Sequence, residues 1–277
     1  MRATILAYHA VNVAGAGYDK NDHVAFAADL RLIHRLGLRV VPLRWLAEGL
    51  LGRTDRDLSR AVVLTCDDGS DLDYFDVDYP GHGRQRSLFN AMIDFRREHG
   101  YQAQPHLHLT SFVIASPEAR AVLDRRCLFD RGWMRDGWWR AAQASGLISI
   151  ENHSWDHNHA ELPHTVQRAQ VKGTFRSVDT YADADAEIRQ ASDWLDAHCP
   201  ARATSLFAYP YGESNDYLVQ EYFPRHAHEH RLIAAVGTDP QPVRADSDVW
   251  TLPRYVCGHH WSSPGELERI LRDGAGL

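Results

Sequence analysis

Cysteine is scarce in this chain: four in 277 residues, at positions 66, 127, 199 and 257, with no C-x-x-C pair among them. That spacing excludes a disulfide framework and a thiolate zinc knuckle, and leaves free thiols in a reducing compartment as the simplest reading. Positive charge is also in deficit. Thirty basic against thirty-seven acidic residues give a formal net charge of -7, which offers no general footprint for nucleic acid. No window approaches the roughly 18 consecutive apolar residues of a membrane span. The opening residues hold one basic and about five apolar side chains before turning polar, short for a secretory signal, so the expected location is the cytoplasm. Repeats, low-complexity tracts and linkers strong enough to split the chain are missing too, and residues 1–277 are therefore read as one catalytic domain.

What the chain does have is alternation. Short β-rich runs at 4–8, 38–41, 61–65, 107–114, 147–152, 205–208, 232–236 and 250–256 are separated by helical patterns, the signature of an α/β fold with a largely parallel sheet. Phe26, Leu30 and Ile33 mark one amphipathic helix, and Ile188, Ala191, Leu195 and His198 mark another. A capping box at Ser263 and Glu266, with Pro264 at the first helical position, opens a last helix expected to stop at Gly274. The segment from Ser70 to Gln85, carrying Asp71, Asp73, Asp76 and Asp78, is too long for an ordinary connection and reads as a solvated acidic lip.

Three segments carry chemistry, and each follows a predicted strand. Thr65-Cys66-Asp67-Asp68-Gly69 delivers two adjacent carboxylates onto a glycine turn, where their side chains diverge and can divide the work. His153-Ser154-Trp155-Asp156-His157 supplies two imidazoles four residues apart. Imidazole and carboxylate donors suit a divalent ion such as zinc, and three protein ligands with an open position make a catalytic site. On this reading Asp68, His153 and His157 hold the ion and Asp67 is the general base. The ion would polarise a carbonyl and lower the pKa of water toward about 7. In Ala208-Tyr209-Pro210-Tyr211-Gly212 the Pro-Tyr-Gly turn can aim a backbone N–H at a substrate oxyanion. His9, directly after a strand, is the candidate to protonate a leaving amine. Trp155 is positioned to wall the pocket, whereas Trp133, Trp138 and Trp139 read as packing. His106 with His108, and His226, His228 and His230, read as non-ligands on exposed or strand faces.

These segments resemble the motifs of the polysaccharide deacetylases, carbohydrate esterase family 4 or the NodB homology domain. T-F-D-D-G is matched at 65–69 with Cys66 for Phe, H-[ST]-x-x-H is matched in full at 153–157, and R-x-P-Y-G keeps Pro210, Tyr211 and Gly212 but has Ala208 for Arg. Tyr8-His9-Ala10-Val11 and Leu252-Pro253-Arg254 look like the Y-H-x-V opening and late L-P-R segment of the permuted poly-N-acetylglucosamine deacetylase branch. The resemblance implies a distorted (β/α) barrel of about seven parallel strands. It also implies a divalent ion (zinc, with nickel, cobalt or manganese as alternatives) and removal of an N-acetyl group from an amino sugar or polysaccharide. Asp67 is then the base, Asp68, His153 and His157 the ligands, and Pro210 and Tyr211 substrate contacts. It points to His9 as the acid; with no plain L-x-H near the end, His259 or His260 is the alternative. Arg254 is assigned to orient Asp67 in place of the missing arginine. Two other readings stand beside this one: an amidohydrolase or deformylase acting on a lipid- or nucleotide-linked sugar, and a catalytically silent carbohydrate-binding protein.

Overall fold

Every predicted hydrophobic run overlaps a strand in the computed structural model, which describes residues 2–164, 166, 171–201 and 203–277. In chain order the strands among the described residues are β1 (Arg2–Tyr8), β2 (Arg39–Val40), β3 (Ala61–Cys66), β4 (Val77–Tyr79), β5 (Gly83–Gln85), β6 (Leu109–Val113), β7 (Ile148–Asn152), β8 (Leu206–Ala208), β9 (Ala234–Val236), β10 (Val243–Arg244) and β11 (Tyr255–Val256). β1, β3, β6, β7, β8 and β9 run parallel in that spatial order, with β2 parallel on the lower half of β3 and β10 antiparallel on β1.

The curl of this sheet depends on the last predicted run. Leu252 forms a parallel bridge with Val236 of β9, and β11 then pairs in parallel with Leu6 and Ala7 of β1. Residues 252–256 thus reach from one end of the sheet to the other and supply the seventh parallel element of a distorted barrel. The expected strand over 250–256 is real only in part, as β11 and that bridge, because Pro253 has no N–H to donate to a ladder.

Side-chain parity fixes what the barrel encloses. Ala3 and Ile5 on β1, Ala61 and Val63 on β3, Phe112 on β6, Leu206 and Ala208 on β8, and Ala234 and Val236 on β9 share one apolar cluster with Leu252. The residues between them, Leu6, Tyr8, Val62, Leu64 and Cys66, pack instead against the helices Asp22–Arg35 and Leu88–His99 in a second cluster. Strand residues two apart face the same side. Carried past the carboxyl ends of these strands, the interior parity arrives at His9, Asp67, Ile114 and Thr238.

Helix Asp22–Arg35 buries Phe26, Leu30 and Ile33 as expected, and Asn21 caps it by accepting from the His23 and Val24 amides. The second expected helix is split by a π turn over Asp185–Arg189, and it buries Ile188, Ala191 and Leu195 but leaves His198 exposed, stacked on Trp194. Ser263 caps Pro264–Ala275, which ends at Gly276 in the left-handed region and not at Gly274. Gly274 lies inside the helix, where a Cβ would come 1.9 Å from Thr4 Oγ1 of β1, so glycine there serves close packing on the strand.

The acidic segment is a solvated lip only at its tip, where Asp78 and residues 81–84 are exposed. Asp71 and Asp73 are buried, and β4 and β5 fold the rest into a hairpin. Asp73 accepts from Ser111 Oγ at 2.7 Å, while Asp71 takes the Arg135 guanidinium at 2.9 Å and donates its amide to Trp133 O at 2.6 Å. Its partners lie far away in sequence, so the segment ties loop 128–138 to the barrel mouth.

Candidate active site

β3 ends at Cys66, and the next three residues make the turn that separates the two acids. Asp67 keeps the interior parity, whereas Asp68 (φ 74°) and Gly69 (φ 72°) both enter the left-handed region. Gly69 has a second constraint: a Cβ would sit 2.4 Å from Val113 Cγ1 and 2.9 Å from Val113 Cα, so the turn lies directly against β6. This local reversal swings the Asp68 carboxylate toward β7.

The histidine segment is held by its own backbone bonds. Asn152 Oδ1 accepts from the Ser154 amide at 2.7 Å, and Ser154 Oγ accepts from the His157 amide at 2.8 Å, which is the service the motif's hydroxyl performs. Ser154, His157 and Asn158 also adopt positive φ, as does Tyr211; with Asp68, five of the nine non-glycine residues in that region among the described residues fall within the three motif segments and the residue after them. Such conformations cost of order 1–3 kcal/mol each and persist where the surroundings over-determine them. Glu187, on the π turn, is one such support: its carboxylate accepts from the Trp155 and Asp156 amides at 3.1 and 3.3 Å. Nothing in the sequence marked Glu187.

Asp68, His153 and His157 converge. Their ligand atoms all lie within 4.8 Å of one another, with Asp68 Oδ1 3.7 Å from His153 Nε2 and 3.8 Å from His157 Nε2. Those separations are too long for hydrogen bonds. They suit donors arranged around a shared cation with ligand bonds of about 2.0–2.2 Å. His153 Nδ1 lies 2.9 Å from Ala208 O; donating there puts the proton on Nδ1 and leaves the Nε2 lone pair facing Asp68. Burial pushes His157 well below the usual histidine range, so it is neutral. The donor set therefore fits a divalent ion.

Asp67 is buried beside this triad and is locked by Arg254, whose guanidinium donates from Nη1 to Oδ1 at 2.7 Å and from Nη2 to Oδ2 at 2.8 Å. Arg254 is itself fully buried and donates further to Gly237 O and Thr65 Oγ1. Burial by itself would raise the Asp67 carboxyl; the Arg254 guanidinium outweighs it and holds the group well below the usual carboxylate range. The residue expected to stand in for the motif's missing arginine thus arrives from the barrel-closing segment.

One cavity of about 460 Å³ joins these groups: His9, Asp67, Asp68, His153, His157 and Tyr211 all line it. His259 lines it as well; His260 does not, its Nδ1 accepting instead from the Val256 amide. The Tyr211 ring packs edge-on against His157 at 4.5 Å, and burial with the nearby Asp68 charge raises its hydroxyl to about 12. In the turn at 209–213 the Gly212 and Glu213 amides bond to Tyr209 O and Pro210 O, leaving the Tyr211 amide outside the turn's own hydrogen bonds. Two expected contacts are elsewhere. Pro210 is buried beneath the turn, and Trp155 faces a separate groove beside Ser116, Val122 and Leu162, because Glu187 fixes its amide outside the barrel mouth. Among the supposed bystanders, His230 is buried and packed on Phe223 rather than solvated. His106 and His108 precede β6 and are not on it. Missed lining residues include His159, which the H-x-H spacing with His157 could have flagged, and Thr238, which interior parity reaches from β9.

A curled parallel barrel with paired carboxylates and imidazoles meeting at the carboxyl ends of its strands has the layout of a NodB-type deacetylase. The chain belongs to the polysaccharide deacetylase family, whose model matches residues 55–223. Among solved structures it is similar to the Streptococcus pyogenes deacetylase PplD in complex with acetate (TM-score 0.60, 18% identity, 98% of each chain). It is likewise similar to a de-N-acetylase from Aggregatibacter actinomycetemcomitans (0.62, 12%, 98% of this chain and 100% of that one) and to IcaB from Ammonifex degensii (0.61, 17%, 98% and 97%). No curated protein matches the chain.

Proposed function

We propose that this protein is a metal-dependent N-deacetylase acting on an N-acetylated amino sugar, of the poly-N-acetylglucosamine type. Asp68, His153 and His157 would hold the ion, with zinc the best match to one carboxylate and two imidazoles. When bound, such an ion supplies Lewis acidity, polarising the acyl carbonyl and acidifying water.

The chain's own groups complete the hydrolysis. Asp67, ionised and held by both oxygens, takes the proton from the water that adds to the acyl carbon. The Tyr211 amide donates to the oxyanion that develops there. His9, across the same cavity, gives a proton to the nitrogen as the carbon–nitrogen bond breaks, so acetate and a free amine leave. The observation that carries this reading is the forked Arg254–Asp67 pair beside three converging metal donors. A silent binding protein would have no use for a free carboxylate held in that way.

The test is Asp67→Asn assayed on chitin oligomers, with bound metal measured in the same preparation. The variant keeps its metal while acetate release falls by roughly 10²–10⁴. Undiminished release would remove Asp67 from the mechanism.

A further inference from the structure

The cavity is chemically two-sided, and its apolar side is more than an acetyl methyl requires. Ile114, Leu123, Cys127, Leu128 and Met134 line it on the flank that rises from β6 and the following helix, Pro117–Cys127. Past His9 and His259 the cavity adjoins a second recess, where Asn12, Asp19 and Lys20 sit among Val11, Val13 and Val256. The apolar flank is built to last: Asp124 accepts from the Gly132 and Trp133 amides at 2.8 and 2.6 Å, and Asp71 clamps Arg135 and Trp133 O. Loop 128–138 is thereby pinned as a wall.

The proton donor tells which part of a substrate each flank receives. His9 borders this recess and serves the departing nitrogen, so the amino sugar is assigned to that side, where Asp19, Lys20 and Asn12 offer hydroxyl groups the charged and amide partners that the β6 flank lacks. With the nitrogen there and the carbonyl carbon at the triad, the acyl substituent would point toward Leu123 and Met134. From this, and resting on the deacetylase reading above, we infer that the enzyme accepts N-acyl groups longer than acetyl, linear aliphatic chains that fill the β6 flank. The chemistry is the same amide hydrolysis: water adds to the acyl carbon, the carbon–nitrogen bond breaks, and a fatty carboxylate and a free amine are released.

The experiment compares kcat/KM for N-acetyl, N-butyryl and N-hexanoyl glucosamine, and for alkyl glycosides of N-acetylglucosamine, using the metal-loaded protein. Each buried methylene should raise kcat/KM roughly four-fold, so butyryl exceeds acetyl by roughly ten-fold or more. Leu123→Trp fills the flank and lowers the hexanoyl-to-acetyl ratio. If that variant does not fold, iodoacetamide makes the same measurement on the unaltered chain: Cys127 is exposed while Cys66, Cys199 and Cys257 are buried, so alkylation there lowers the same ratio. Acetyl turned over best, with longer chains inert, overturns the inference and leaves the deacetylase reading standing. A gain from alkyl glycosides but not from longer acyl groups overturns the assignment of the two flanks. No release from any substrate would sink the deacetylase reading itself, and the inference with it.

Discussion

Arg254 and Asp67 are 187 residues apart in sequence and form a two-pronged ion pair inside the barrel, at 2.7 and 2.8 Å. Asp67 continues the interior parity of β3, and Arg254 sits on the segment that joins β9 to β1. The pair therefore fastens barrel closure to the carboxylate proposed as the base.

Removing Arg254 should cost both stability and turnover. Breaking one partner out of a buried pair leaves an uncompensated charge and costs about 3–5 kcal/mol. Arg254→Met is expected to lower the melting temperature sharply and to reduce acetate release by at least about 100-fold, and Arg254→Lys rescues little because an ammonium cannot fork onto two oxygens. Adding Asp67→Asn to Arg254→Met should recover stability, since the stranded charge is gone. A double variant no more stable than Arg254→Met alone would contradict this account.

Metal binding should be visible without any assay of activity. A ligand that binds only the folded state stabilises it by about 2.7 kcal/mol at a hundred times its Kd. Zinc is expected to raise the melting temperature of the metal-stripped protein, and His153→Ala or Asp68→Ala to abolish the increase. If Asp68→Ala shows the wild-type increase, the ion is held elsewhere.

Much of this was legible in the sequence, for identifiable reasons. Strands bury both faces of a barrel wall, so runs such as Ala61–Cys66 stand out as apolar, and the motif residues sit immediately after them. The convergence of Asp68 with His153 and His157 followed from that placement. What misled was polarity read locally. Asp71 and Asp73 look solvated in sequence because their partners, Arg135 and Ser111, are contributed by loops and strands 38 to 64 residues away. Trp155 lies inside a metal motif yet faces outward, because the reversal at Ser154 (φ 69°) and the Glu187 carboxylate aim it away, and neither is encoded by the motif's spacing. Glu187 itself lies on a π turn that has no sequence signature.

Gly69 should be irreplaceable on two grounds at once. Gly69→Ala forces a side chain into the left-handed region and places its Cβ 2.4 Å from Val113 Cγ1. A destabilisation above about 2 kcal/mol is expected, from strain and overpacking together. Val113→Ala added to it should recover only part, because the 2.9 Å approach to the Val113 Cα remains. Full recovery in chemical denaturation would show the side-chain clash to be the whole effect.

Two buried carboxyls should each contribute a loss of stability as pH rises from about 4 to about 7, against the opposite contribution of buried histidines such as His157 and His230. Burial raises Asp29 to about 7 although Tyr18 and Tyr8 both donate to it, and burial likewise raises Asp73 to about 7. The unfolded chain releases these protons near pH 3.9. In the window between, the folded state holds protons that the unfolded state has lost, so the two carboxyls' share of the stability slope is negative and the full cost is reached above the folded pKa. A rise to about 7 is worth up to roughly 4 kcal/mol per group. Asn mimics the protonated acid and does not titrate. Asp29→Asn and Asp73→Asn should therefore gain on the wild type as the pH is raised from 4 to 8, read as the difference in melting temperature at each pH. A difference from the wild type that stays constant across that range would mean that neither carboxyl is protonated in the fold.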